Sequence, residues 1–125
     1  MELETRTFED VIVVSPTGRI DHNTAEAFQS ALLAEVEGCG ANGKMVLDLG
    51  GVDYMSSVGL RALMVAAKEA KKAATDIVVS SLQPDLKEIF EISRFHFIFK
   101  TFDDIKSALQ SLSPDAANAF QSAGG

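Results

Sequence analysis

The sequence predicts a single α/β domain with a mixed, mostly parallel sheet. Short β-branched or apolar runs alternate along the chain with segments of helical periodicity, and this alternation is typical of right-handed parallel crossovers. The chain has 125 residues, a length that fits one domain better than two. Hydrophobic residues make up 46% of the chain and charged residues 23%, which is an ordinary globular composition. We expect about four to five strands, with an antiparallel hairpin at the N-terminal edge, and about four helices.

The first two strands are predicted to form that hairpin. Residues 3–8 are partly alternating and β-branched, and residues 11–14 are a continuous run of Val and Ile, as in strands buried on both faces. Only Glu9 and Asp10 separate the two runs, which favours an antiparallel turn. Residues 15–18 (Ser-Pro-Thr-Gly) are turn-forming, so they are expected to end the second strand.

The first helix follows this turn. Asn23 is its predicted cap, with Glu26 three residues later in a variant of the capping box. One apolar stripe recurs every four residues at Phe28, Leu32 and Val36. A cluster of glycines is expected to end the helix after residue 37.

The second helix follows an apolar strand at residues 45–49. Its apolar residues share one face, with the spacing i, i+3, i+4 and i+7: Leu60, Leu63, Met64 and Ala67. The helix is therefore predicted to begin at about Ser56 or Ser57. Two loops, residues 18–24 and 50–59, are expected at the carboxyl ends of strands, where open α/β sheets gather their functional residues.

The last third of the chain predicts a strand, a helix, a strand and a helix. Residues 77–79 form a short buried-type strand, and Pro84 stands in the first-turn position that proline tolerates in a helix. Three phenylalanines alternate within residues 95–99, which predicts another strand whose phenylalanines lie in the core. Asp103 is the predicted cap of the last helix.

The domain is expected to span residues 1–112. Residues 113–125 are rich in Ala, Ser, Gln and Gly, so we expect a mobile C-terminal tail. No internal repeat divides the chain further.

Charge and residue counts exclude several classes of function. The net charge is −7, which disfavours direct binding to nucleic acid and to anionic membranes. No apolar run approaches the ~20 residues of a membrane span, so no membrane insertion is expected. One cysteine and two histidines are too few for the usual zinc clusters. The acidic N-terminus is unlike a signal peptide, and we expect a cytoplasmic protein without cofactor or metal.

The tandem serines Ser56 and Ser57 leave two interpretations open. In the first interpretation, the serines only cap the second helix, because serine is a preferred N-cap residue. One serine suffices for capping, however, and the other hydroxyl is then free to point outward. A phosphoserine there would carry a charge of roughly −1.5 to −2 and would be tolerated by the free amide groups of the first turn. Asp21 is equally open, because it could cap the first helix or present a carboxylate beside the Ser57 loop.

Two motifs resemble the STAS domain, a family that covers sulphate transporters and bacterial anti-sigma factor antagonists. The first is residues 18–21 (Gly-Arg-Ile-Asp). The second is residues 46–60, in which an apolar strand, Asp-Leu, a short turn and a hydrophobic pair precede the serines and Gly-Leu. The resemblance runs from Leu3 to Leu112 with the elements in the same order. It implies a single STAS-like domain that acts by binding and is not an enzyme.

The antagonist members imply a partner-switching role. In its unmodified form such a domain binds an anti-sigma factor that is also a serine kinase, and so frees the sigma factor. The kinase phosphorylates one serine, the antagonist dissociates, and a serine phosphatase restores it. Matched by position, Ser57 is the phosphoacceptor, Asp21 is the aspartate near it, and Gly59 is the glycine of the helix turn. The rest of the expected partner-binding or switch loop is Asn23, Ser56 and Val58.

Two other functions are weighed against this one. The alternative within the family is a scaffold or transport-accessory module that docks a partner without serine phosphorylation. A hydrolase would need a serine, a base and an orienting group. Asp21, His22 and Ser57 supply those residue types, but no Gly-x-Ser-x-Gly motif is present. His22 directly follows Asp21, and adjacent side chains on extended backbone point apart, so the two are not expected to act together. We therefore expect no enzyme.

Overall fold

The computed structural model describes residues 3–124 as one α/β domain. The elements follow in the order β1 (Leu3–Phe8), β2 (Val11–Ile20), α1 (Ala25–Cys39), β3 (Lys44–Asp48), β4 (Gly51–Met55), α2 (Ser57–Ala73), β5 (Asp76–Ser80), α3 (Pro84–Ile92), a 3-10 turn (Phe95–Phe97), β6 (Thr101–Phe102), α4 (Ile105–Leu112) and α5 (Pro114–Ser122). The predicted fold class is confirmed, with six strands and five α-helices in the described part of the chain.

The sheet is mixed, with the strand order β1-β2-β3-β5-β6. β1 is an edge strand and pairs antiparallel with β2, as the sequence predicted, and the other pairings are parallel. β2 has two successive parallel neighbours. Its residues 11–14 pair with β3, and its residues 17–20 pair with β4. Because β2 changes its neighbour from β3 to β4, the end of β4 lies beside the end of β2.

β2 is longer than predicted, because residues 15–18 continue it rather than end it. Ser15 and Pro16 lie between the two blocks of pairing and have no register partner in β3 or β4, although the Ser15 hydroxyl donates to the Asp48 carboxylate of β3 at 2.9 Å. A proline at that position therefore removes no hydrogen bond to those strands. Gly18 has a φ of +92°, and the register with β4 shifts between Gly18 and Arg19. The turn-forming residues thus produce an irregularity within a long strand.

Helices cover both faces of the sheet. Val14 and Leu47 contribute to a core cluster with α1, α2 and α3, whereas their chain neighbours Val13 and Val46 contribute to a second cluster with α4 and α5. Successive strand residues point to opposite faces, so the continuous apolar runs of β2 and β3 reflect burial on both sides.

Most of the segment that the sequence predicts to be a mobile tail forms helix α5 in the structure. The Ser113 hydroxyl caps this helix by accepting a hydrogen bond from the N–H of Ala116 at 3.3 Å. Ala116, Ala117 and Phe120 are buried in the second core cluster. Alanine has the highest helix propensity, and its small side chain lets the helix lie close to the sheet. The composition that suggested mobility therefore suits a packed helix.

Residues 95–99 do not form the predicted strand. Arg94 adopts a left-handed conformation with φ +61°, and a 3-10 turn follows. Phe95 and Phe99 are buried as predicted, but Phe97 is 76% exposed. Two buried residues four positions apart, such as Phe95 and Phe99, are compatible with a helical turn or a strand. In a strand Phe97 would lie on the same face as both, so its exposure identifies the helical turn.

Candidate functional site

The candidate site lies where β2, β4 and α2 meet. Ile20 and Met55, near the ends of the two strands, are register partners, and the Ser56 N–H donates to the Ile20 carbonyl at 2.8 Å. Asp21 and Ser56, the next residues of the two segments, are therefore neighbours. The two loops predicted to carry the function thus converge at one edge of the sheet.

The two tandem serines have different environments. Ser56 is the N-cap of α2, is half-buried, and accepts a hydrogen bond from the Gly59 N–H at 3.3 Å. Ser57 is the first residue of the helix and is exposed. The predicted helix start is confirmed. Capping thus accounts for Ser56 and leaves the hydroxyl of Ser57 accessible.

Asp21 organises the turn that follows β2. One oxygen of its carboxylate accepts from the Asn23 N–H at 3.0 Å, and the other lies 3.6 Å from Nε of Arg19. The Asn23 N–H is the largest influence on the pKa of Asp21 and lowers it, and the charges of His22 and Arg19 act in the same direction against the opposing effect of burial. The carboxylate is therefore ionised at neutral pH.

Asn23 is not the cap of α1, contrary to the sequence prediction. The N-cap residue is Thr24, and its hydroxyl makes no capping bond to the helix. That hydroxyl instead accepts from the Asp21 N–H at 3.0 Å and donates to the Arg19 carbonyl at 2.9 Å. Since the backbone N–H of Asn23 is bound by Asp21, the residue is part of the turn, and its exposed side chain lies at the surface of the loop.

Arg19 and Tyr54 form part of this surface and were missed by sequence reasoning. They are register partners on β2 and β4, and the Arg19 guanidinium lies 4.3 Å from the centre of the Tyr54 ring. Tyr54 and the predicted loop residue Val58 are each 39% exposed. Arg19 stands within the first motif, but its partner becomes visible only once β4 is known to pair with β2.

Gly59 brings α2 close to the strands. A Cβ atom at this position would lie 2.7 Å from Cγ of Met55 and 2.8 Å from Cγ2 of Ile20. These distances are too short for a side chain, so the glycine permits the first turn of α2 to pack on the two strand ends. Gly59 is buried, unlike its exposed neighbours Ser57 and Val58.

Within residues 3–124, no group of three or more His, Cys, Asp or Glu side chains could hold a metal ion. His22 is exposed, and no hydrogen bond in this part of the chain joins it to Ser57. The described residues therefore place an exposed serine, the Asp21 carboxylate and an exposed tyrosine ring at the same edge of the sheet.

A family model described as the STAS domain matches residues 2–108. The chain belongs to the STAS domain family. Among proteins of known sequence, this STAS domain is 32% identical over 108 residues to BtrV of Bordetella bronchiseptica, provisionally named an anti-sigma factor antagonist. The match covers 86% of this chain and 91% of BtrV.

Solved structures have the same STAS fold. An anti-sigma factor antagonist from Mycobacterium paratuberculosis is 25% identical, with a TM-score of 0.75 and coverage of 89% of this chain and 92% of that one. A Thermotoga maritima protein provisionally described in the same way is 18% identical, with a TM-score of 0.80 and coverage of 88% and 93%. Among the residues described for this STAS domain, no helix is long and apolar enough to cross a membrane.

Proposed function

We propose that this protein is a phosphorylation-switched anti-sigma factor antagonist of the cytoplasm. In its unphosphorylated form it binds an anti-sigma factor serine kinase and thereby frees the sigma factor. Phosphorylation of Ser57 releases the kinase, and a serine phosphatase reverses the modification. The protein acts by binding and is not an enzyme. The observation that carries this proposal is the exposed Ser57 hydroxyl beside a serine already used as the helix cap.

The likeness to BtrV supports the general role. It extends over most of both chains, and BtrV bears the name of an anti-sigma factor antagonist. The matched region also includes the residues of the proposed docking surface, since the family model covers residues 2–108. We assign Asp21, Asn23, Ser56, Val58 and Gly59 to that surface or to its support.

Charge supplies the release mechanism. A phosphate on Ser57 adds roughly −1.5 to −2 charge at the same sheet edge as the ionised Asp21, in a chain whose net charge is already −7. In a complex with a partner that fits the neutral hydroxyl, the added phosphate would repel nearby negative charges. It would also lose the favourable solvation that it has in water. Juxtapositions of this kind cost several kcal/mol, and each ~1.4 kcal/mol is tenfold in affinity. Release therefore requires no unfolding of the domain.

The test is incubation with the cognate kinase and ATP, followed by peptide mass spectrometry and a binding measurement. We expect one phosphate on Ser57 and loss of the complex. Ser57→Ala should bind the kinase but stay bound when ATP is added. Ser122→Ala is the matched control, because it removes an exposed serine hydroxyl from α5, on the opposite face of the sheet from α2.

Each outcome has a separate meaning. Modification of Ser56 instead of Ser57 would overturn the assignment of the acceptor. Binding without any modification would favour a scaffold or transport-accessory module. Equal binding by wild type and Ser57→Asp would count against release by charge, although Asp carries less charge than phosphate.

A further inference from the structure

Arg61 lies one turn after Ser57 on α2, and both residues are exposed. Residues at positions i and i+4 of a helix share a face, with their Cβ atoms about 5–6 Å apart. Long helical side chains also incline toward the N-terminus of the helix. An arginine at position 61 is therefore within reach of the turn that begins with Ser57.

Among the described residues, Arg61 has no acidic side chain within ion-pair distance. None of the ion pairs found within residues 3–124 includes it. On its own helix, the positions three and four residues away are Ser57, Val58, Met64 and Val65, none of which is acidic. The guanidinium is thus available to an anion at Ser57.

Arg19, the other arginine of the candidate site, is already engaged. It lies 3.6 Å from the Asp21 carboxylate and 4.3 Å from the centre of the Tyr54 ring. A phosphate on Ser57 would compete with both contacts for the Arg19 guanidinium. Within residues 3–124, Arg61 makes neither an ion pair nor a cation–π contact, and this difference favours Arg61 over Arg19.

We propose that Arg61 is the residue that binds the phosphate of phosphorylated Ser57, while Arg19 stays with Asp21 and Tyr54. This inference rests on the proposed function, since it concerns the modified form of the same site. Arginine suits the task because its planar guanidinium can donate two hydrogen bonds to one phosphate. An acidic group four residues before a basic one is also the favourable orientation in a helix. The ion pair between Arg61 and the phosphate holds the dianion along the first turn of α2, at the surface that a partner would contact.

The experiment is a double-mutant cycle in which phosphoserine is installed at position 57 during translation, so that no kinase is needed. Urea unfolding is measured for the unmodified and phosphorylated forms of the full chain, each with Arg61 and with Arg61→Gln. We expect phosphorylation to raise the folding equilibrium constant roughly two- to fivefold more with Arg61 than with Gln, because the phosphate carries nearly two charges. The difference should shrink in high salt.

A parallel cycle with Arg19→Gln is the matched control and should show no such coupling. Arg61→Lys should recover part of the coupling through its charge alone. The chain has one tyrosine and no tryptophan, so its intrinsic fluorescence reports on Tyr54, and we expect phosphorylation to leave that signal unchanged.

Absence of coupling to Arg61 would overturn the inference. So would coupling to Arg19 accompanied by a change in Tyr54 fluorescence, because Arg19 would then have moved to the phosphate. Neither result depends on whether a kinase modifies Ser57 or whether a partner is released. The failure of this inference is thus distinguishable from failure of the proposed function.

Discussion

Gly59 and Ile20 are so close that a Cβ atom on the glycine would stand 2.8 Å from Cγ2 of the isoleucine. This contact joins the first turn of α2 to the end of β2. Together with the Ser56–Ile20 hydrogen bond of 2.8 Å, it fixes where the helix starts. The exposed position of Ser57 is therefore a consequence of backbone packing beneath it.

Replacing Gly59 with alanine should destabilise the protein. The added methyl group must displace Ile20, Met55 or the helix itself, and overpacking of this kind typically costs about 1–3 kcal/mol. The measurement is the free energy of unfolding from urea titration. The same substitution should weaken kinase binding, because the helix start that presents Ser57 has to shift.

Gly38→Ala is the matched control for that prediction. Gly38 lies within α1, and no atom stands within 4 Å of the position a Cβ would take. This substitution should stabilise the protein by roughly 0.5–1 kcal/mol, because alanine loses less backbone entropy in a helix. Equal effects of the two substitutions would show that close packing at Gly59 is unimportant.

The two serines should differ in their effect on stability. Ser56→Ala removes the capping oxygen that accepts from the Gly59 N–H, which should cost about 0.5–2 kcal/mol. Ser57→Ala removes an exposed hydroxyl and should stay within about 0.5 kcal/mol of wild type. Thermal or urea unfolding of the two variants tests this directly. A larger loss from Ser57→Ala than from Ser56→Ala would contradict the assigned roles.

Much of the fold could be predicted because its signals are local. The valine and isoleucine run of residues 11–14 reflects burial on both faces of β2, and the spacing of apolar residues after Ser57 reflects the buried face of α2. The helix start at the tandem serines also followed from that spacing, which begins at Leu60. These features depend on residues within one or two turns of each other.

Apart from helix α5, the features discussed here that were missed depend on contacts between distant segments. Nothing local indicates that β2 exchanges β3 for β4 after Pro16, so residues 15–18 were interpreted as a turn, and residues 51–55 were assigned to a loop. The contact of Arg19 with Tyr54 follows from that exchange and was missed for the same reason. The Ser-Pro pair at residues 113–114 was a local signal for α5, since serine is a good cap and proline suits the first turn.

Phe120 should make α5 necessary for stability. Its ring is 8% exposed and lies 5.2 Å from the ring of Phe8, in a nearly perpendicular arrangement. Phe120→Ala should lower the free energy of unfolding by about 3 kcal/mol, through lost burial and the cavity that remains. Gln121→Ala, at an exposed position of the same helix, should change it by less than about 0.5 kcal/mol. If both substitutions were neutral, the helix would be dispensable.

Asp104 should contribute to stability in a pH-dependent way. Asp104, and not the predicted Asp103, caps α4. Its carboxylate accepts from the Ser107 N–H at 2.7 Å, and this bond is the main cause that lowers the pKa of Asp104 below its ordinary value of 3.8. A group whose pKa is lower in the folded state adds stability above its unfolded pKa and loses it as the pH falls through the folded pKa. The contribution should therefore be complete at neutral pH and should decline below about pH 4.

Asp104→Asn tests this, because asparagine is a good cap that does not titrate. Urea unfolding at several values between pH 7 and pH 2 gives the difference in free energy between wild type and variant. We expect wild type to be more stable near neutral pH and its advantage to shrink steadily below about pH 4. Asp104→Ser, another neutral cap, should give the same profile relative to wild type. A constant difference across this range would mean that the charge of Asp104 contributes nothing, and that the hydrogen bond to Ser107 is equally strong with a neutral oxygen.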